Sequence, residues 1–137
     1  MADPKTPQER LVVQFFETLS TGELEKVRAL LHPDATWTVM VKGVPGAGSH
    51  GPRDYIIDSF LAPVRGLFKD GDPKVFVDKV ASSGDFVMAE TRGVGLLADG
   101  RTYDNKYAWG VETKDGKVFA LREYMDSFYI SQLFPAG

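Results

Sequence analysis

The sequence of 137 residues contains no cysteine, which excludes disulfides, thiolate catalysis and Cys-ligated zinc or iron-sulfur centres. Histidine is scarce as well. His32 sits beside Pro33 and His50 beside Gly51-Pro52, and neither lies at a spacing that gathers carboxylates into a ligand set. No metal and no other cofactor is expected. Lysine and arginine occur as singles and the formal charge is -3, so nothing marks a surface for nucleic acid or for an anionic membrane. No stretch approaches the roughly 18 apolar residues of a membrane span. The opening MADPKTPQER lacks an apolar core of signal-peptide length. A soluble, cytoplasmic protein with neither nucleic-acid nor membrane partner is the expectation.

What is present is ordinary for a globular chain, with 43% hydrophobic and 26% charged residues. The length suits one domain over 1–137, with its core over about residues 6–130. Thr6, Pro7 and Glu9 have the spacing of a helix start. Leu11, Val12, Phe15, Phe16 and Leu19 then recur at helical period until Gly22, and Leu24, Val27, Leu30 and Leu31 form a second stripe. ATWTVMV (35–41) reads as a strand. KGVPGAGSHGPRD follows as a glycine-rich loop, and Pro52 opens a third helix through Phe60, with Pro63 as a kink. From Pro73 the period becomes two. KVFVDKVAS, FVMAETRGVGLL, TYDNKYAWGVET and KVFALREYMDSFY are separated by Ser83-Gly84-Asp85, Asp99-Gly100 and Lys114-Asp115-Gly116, the signals of successive hairpins. Helices followed by strands indicate an α+β domain, three N-terminal-half helices packed on a strongly curved, mostly antiparallel sheet.

The stretch LREYMD (121–126) holds three ionisable groups in a strand. Asp126 lies among Tyr124, Met125, Phe128 and Tyr129, and a carboxylate in that company needs a partner, water or a reaction to perform. Alternation places Arg122, Tyr124 and Asp126 on one face and Leu121, Glu123 and Met125 on the other, while Asn105, Tyr107 and Trp109 share a face of the preceding strand. Were the faces of Asp126 and Trp109 both concave, they would form an aromatic wall carrying a carboxylate, a guanidinium, an amide and a phenol, suited to a small, mostly apolar ligand with a few oxygens. Burial would raise the pKa of Asp126 toward the range of general acid-base work. The alternative is structural: an ion pair with Arg122, or a cap at a strand end. His50 is read either as a proton shuttle at a pocket mouth or as plain surface. Trp37, Tyr107, Trp109 and Tyr124 are read either as substrate wall or as core.

The order of elements, with HPDATW after the second helix, DGRTYDNKYAWGVETKDGK across the meander and LREYMD at its end, resembles the NTF2-like superfamily, the cone-shaped α+β barrels. Its SnoaL-like branch, with polyketide cyclases, ketosteroid isomerase-like and limonene epoxide hydrolase-like proteins, is the nearest likeness. The resemblance implies a cofactor-independent isomerase, cyclase or hydrolase acting on a small hydrophobic molecule, and a homodimer formed through the outer sheet face, where Val94, Leu96 and Ala108 are expected. It also implies Asp126 as the catalytic, proton-transferring group; the reading of the residues sets Trp37, Asn105, Tyr107, Trp109, Arg122, Tyr124 and His50 around the substrate. Thr91, Gly93, Trp37 and Val39 stand where the epoxide hydrolases carry catalytic groups, and Phe15 and Val39 where the ketosteroid isomerases do, so neither of those two catalytic sets is complete. Arg92 and Glu90 are expected outside the pocket. A ligand-binding module without turnover and an interaction domain are the two alternatives to an enzyme.

Overall fold

Helix α1 (Pro7–Thr21) starts where the sequence predicts: Glu9 N donates to Thr6 Oγ1 at 3.0 Å and Pro7 occupies the first turn. It stops at Gly22, whose φ of 77° is left-handed backbone and whose N–H donates to the Leu19 carbonyl at 3.1 Å. The computed structural model describes residues 2–135. After α1 come α2 (Leu24–Leu30), β1 (Leu31–Val39) and β2 (Gly48–His50). A continuous helical rod follows, made of α3 (Arg53–Tyr55), a π-helical segment (Ile56–Leu61) and α4 (Ala62–Arg65). Then come β3 (Lys74–Ser83), β4 (Phe86–Leu96), β5 (Thr102–Lys114), β6 (Lys117–Met125) and α5 (Ser127–Leu133).

The strands form one curved sheet in the order β2-β1-β6-β5-β4-β3, which does not close into a barrel. The pair β1 and β6 is parallel and the other neighbours are antiparallel. Two elements depart from the sequence expectation. The glycine-rich loop contains the short strand β2, which pairs Trp37 with His50. The three expected helical units are joined by α5, because the last strand ends at Met125 instead of running on through Tyr129.

Helix α1 buries Val12, Phe15, Phe16 and Leu19 with the inward side chains Trp37, Val87, Trp109, Val111 and Leu121. Tilted and edge-on aromatic contacts join them, Phe16 to Trp109 at 4.9 Å between centroids and Trp37 to Trp109 at 5.2 Å.

Which side chains of β6 face this core is settled by one residue. The β5–β6 hairpin pairs Lys114 with Lys117 and Thr113 with Val118, then slips so that Glu112 pairs with Ala120. Phe119 is the extra residue of a β-bulge. Without it Trp109 would stand opposite Arg122; with it Trp109 stands opposite Glu123. Leu121, Glu123 and Met125 therefore turn inward and Arg122 and Tyr124 outward, the reverse of the pairing of faces that unbroken hairpin register predicts.

The start of α1 is tied to β3. Ser82 Oγ and Lys5 N both donate to the Glu9 carboxylate, and the hydroxyl bond from Ser82 is the main cause that holds its pKa below the usual value. Replacing Thr6 by Ala removes the cap and should lower stability by about 1 kcal/mol in urea unfolding. A carboxyl whose pKa is depressed on folding stabilises above its unfolded pKa and loses that contribution as pH falls through the folded value. The stability difference between wild type and Glu9→Gln should therefore be largest at neutral pH and vanish in acid.

Candidate active site

Between the sheet, the 53–65 rod and α5 lies a cavity of about 370 Å³, within the range of small-molecule sites. Its wall is mostly apolar. Trp37 and Val39 come from β1, Phe60, Leu61 and Val64 from the rod, Trp109 from β5, and Ile130 and Phe134 from α5 and the residues after it. The π-helical segment widens the rod by part of a turn at the point where Ser59, Phe60 and Leu61 meet the cavity. Pro45 and Gly46 of the glycine-rich loop form part of the wall. That loop is held by His50, whose Nε2 meets the Gly46 carbonyl at 2.6 Å while its ring stacks on Phe60 at 4.1 Å.

Glu123 is the carboxylate of this cavity. Its residue is 8% exposed, and Trp37 Nε1 donates to Oε1 at 2.8 Å. Among the described residues no side chain or backbone group donates to Oε2, yet no fully enclosed side-chain polar atom lacks a partner. Oε2 is thus the oxygen that meets the open cavity. Burial pushes the carboxyl up to about 7, against a smaller downward pull from the Trp37 indole. At neutral pH the group is shared between acid and base forms, which is the condition for proton transfer in either direction.

A second polar group on the wall is a pair of phenols. Tyr103, Asn105, Tyr107 and Trp109 alternate onto the inner face of β5. The hydroxyls of Tyr103 and Tyr107 share a short hydrogen bond, and Asn105 Nδ2 donates to Tyr103 Oη at 3.5 Å. Burial pushes Tyr103 up to about 12, opposed by its bonds to Tyr107 and Asn105. Burial also raises Tyr107 well above the ordinary phenol value, and the charges of Tyr103 and Glu123 add to that. Both stay protonated at neutral pH; one proton is spent in the bond between them, and the hydroxyl that accepts in that bond is left to donate to a ligand oxygen. Trp109 Nε1 is satisfied by Thr91 Oγ1 at 2.9 Å, so its indole is a wall rather than a donor.

Of the residues singled out in the sequence, Trp37, His50, Tyr107 and Trp109 line the cavity. Asn105 is buried behind the phenols at 2% exposure. Asp126, Arg122 and Tyr124 are elsewhere, and the reading that placed them on the cavity wall is corrected. Asp126 is exposed and caps α5, accepting from Tyr129 N at 3.1 Å. It is the capping alternative, realised on a helix. Arg122 turns outward and pairs with Glu112 at 2.7 Å, and Tyr124 is 43% exposed on the same outer face. Arg92 also lies on that face, 2.9 Å from Asp78. Thr91 and Gly93 line the cavity. Ser59, Arg65, Thr91, Tyr103 and Glu123 are the polar groups that the sequence reading left out of the site. An alternating count outward from Trp109 finds Tyr103. Only a bulge in β6 brings in Glu123.

The family model described as SnoaL-like domain matches residues 12–121. No curated protein matches the chain by sequence. Among solved structures the chain is similar to TerC co-crystallized with polyporic acid, with a TM-score of 0.80 and 18% identity over 96% of this chain and 100% of that one. It is similar to an NTF2-like protein of unknown function from Burkholderia pseudomallei K96243, with a TM-score of 0.83 and 19% identity over 96% and 100% of the two chains. It is similar also to Bal32a from a soil-derived mobile gene cassette, with a TM-score of 0.80 and 22% identity over 93% and 95%. At these identities the likeness is one of fold.

Two predictions follow from the geometry. A carboxyl whose pKa is raised on folding keeps its proton while the unfolded chain loses it, so stability falls as pH rises from the ordinary glutamate value to about 7. Glu123→Gln should abolish that fall, and at pH 8 it should be more stable than wild type by up to roughly 3 kcal/mol, read from thermal or urea unfolding across pH. Asp126→Asn keeps a capping oxygen and should leave stability unchanged, whereas Asp126→Ala should cost about 1 kcal/mol.

Proposed function

The chain belongs to the SnoaL-like domain family, and from that premise we propose that its cavity is the site of a cofactor-independent acid-base enzyme, an isomerase, cyclase or hydrolase, acting on a small, mostly apolar, oxygenated compound. One observation carries the reading: Glu123 is a buried carboxylate with one oxygen fixed by Trp37 and the other open to the cavity. The co-crystallization of TerC, a protein of the same fold, with polyporic acid supports a small-molecule occupant.

In this mechanism the ionised Glu123 takes a proton from a carbon beside a carbonyl, and the Tyr103–Tyr107 pair donates a hydrogen bond to the oxygen on which charge develops. The protonated Glu123 then returns the proton to the same carbon, which gives exchange, to the far carbon of a conjugated system, which gives isomerisation, or to the alkoxide oxygen formed when the enolate carbon attacks a second carbonyl of the same molecule, which gives ring closure. The apolar wall excludes water and strengthens both interactions. His50 holds the glycine-rich loop over the cavity, and Trp37 and Trp109 supply flat surfaces for an unsaturated ligand. Asp126 takes no part.

A homodimer through the outer sheet face belongs to the same proposal. Phe76, Met88, Leu96 and Tyr124 are each more than 40% exposed, and they lie on the face opposite the cavity. Light scattering should return twice the chain mass of 15.1 kDa, and Tyr124→Glu should lower it toward the monomer value.

The catalytic reading is tested by proton exchange, which needs no knowledge of the natural product. Incubating the protein in D2O with a panel of apolar cyclic ketones and enones, followed by NMR, should show loss of the proton beside the carbonyl in at least one member. The rate should rise with pH through about 7, because the base form is required. Glu123→Gln should lower it by about 10²-fold or more, while Asp126→Asn leaves it unchanged. Binding of panel members without exchange, in both wild type and Glu123→Gln, would favour a ligand-binding module instead.

A further inference from the structure

Two charged side chains line the cavity among the described residues, Glu123 and Arg65, and the proton-transfer reading leaves Arg65 unused. Arg65 is the last residue of α4. Its Nη1 donates to the Leu19 carbonyl at 3.0 Å and to the Pro73 carbonyl at 3.4 Å, which ties α4 to the end of α1 and to the start of β3. Those bonds use one nitrogen. Among the described residues Nε and Nη2 have no acceptor, and no carboxylate lies within ion-pair distance of the guanidinium. Asp72 is the one acidic residue whose charge acts on it, and its Oδ2 already accepts from Leu96 N at 2.9 Å. Arg65 is half-buried and fixed by two carbonyls with no carboxylate bonded to it, so its charge and its remaining donors are left for an acceptor on the cavity side. The remaining donors have the fork geometry that matches a planar or tetrahedral oxyanion.

We infer that Arg65 is an anion subsite and that the ligand of this cavity is an organic anion, an apolar body bearing a carboxylate, sulfonate or ionised enol. This rests on the reading of the cavity as a small-molecule site. Gly22 supports a fixed guanidinium: a Cβ there would come within 3.0 Å of Arg65 Nη2, so the absence of a side chain leaves room for it. With a cation on one part of the wall and Glu123 on another, an anionic ligand has one preferred orientation, its charge at Arg65 and its body among Trp37, Trp109 and Phe60.

A pair of fluorescent probes tests this, 8-anilinonaphthalene-1-sulfonate and its uncharged counterpart N-phenyl-1-naphthylamine, titrated into wild type, Arg65→Gln, Arg65→Lys and Glu123→Gln, with circular dichroism as the check on folding. Arg65→Gln should weaken the sulfonate probe by roughly tenfold and leave the neutral probe within about twofold. Arg65→Lys should lose less, and Glu123→Gln should not weaken the sulfonate. If Arg65→Gln does not fold, the wild-type salt dependence decides: added salt should weaken the sulfonate probe and spare the neutral one. An equal loss of both probes, or no loss of either, overturns the anion subsite and leaves the cavity reading standing. Failure of both probes to bind wild type overturns the two together.

Discussion

A β-strand shows alternate side chains to opposite faces, so one inserted residue exchanges every side chain beyond it. In this fold that residue is Phe119. Unbroken register from the Lys114–Lys117 end of the hairpin would set Arg122 against Trp109 and turn a guanidinium into the apolar core. The slip at Phe119 sets Glu123 there instead, and brings Leu121 and Met125 in with it. Leu121 is fully buried and Met125 lines the cavity, so most of the group that turns inward is apolar and the register is fixed by burial. Glu123 is the exception carried in by its neighbours' packing. The position of the cavity's carboxylate and the outward placement of Arg122 follow from that single slip.

The exception is costly on its own terms. Removing a carboxylate from water costs several kcal/mol unless partners replace the lost hydration. Glu123 has one, the Trp37 indole, and the rest of the penalty appears as a carboxyl that keeps its proton to about pH 7. A core built for stability alone would place an aliphatic side chain opposite Trp109. A raised pKa, a partner on one oxygen and an opening at the other suit the proposed proton transfer, and they come at a cost in stability. The phenols share the same enclosure: Tyr103 and Tyr107 are bonded to each other, which leaves the pair one free O–H to donate.

Much of the fold was legible because its signals are local. Thr6, Pro7, Glu9 and Gly22 bound α1 chemically, and Gly84, Asp99-Gly100 and Asp115-Gly116 mark the three hairpins, each glycine here having a left-handed φ. Trp37, Tyr107 and Trp109 were legible as wall residues because their strands alternate without interruption at those points. Glu123 was not, since a bulge is a tertiary accommodation with no fixed residue type, and Lys-Val-Phe-Ala-Leu alternates equally well in either register. Asp126 misled for a related reason. An aspartate followed by Ser-Phe-Tyr-Ile is as good a helix start as a strand end, and of the aromatic residues that made it look buried Tyr124 faces outward from β6 while Phe128 and Tyr129 belong to α5, where Phe128 is 71% exposed. The strand β2 was hidden because three residues, Gly48-Ser49-His50, are too few to carry a period.

The account turns on the state of one carboxyl. With glutamate labelled at the side-chain carboxyl carbon and the Glu123 resonance assigned by its loss in Glu123→Gln, a pH titration by NMR reads that state directly. A midpoint near 7, well separated from the other glutamates, is the predicted result. A Glu123 midpoint at the ordinary glutamate value of about 4.3 would mean that the group is hydrated rather than buried against Trp37, and would contradict both the β6 register and the proton-transfer site built on it.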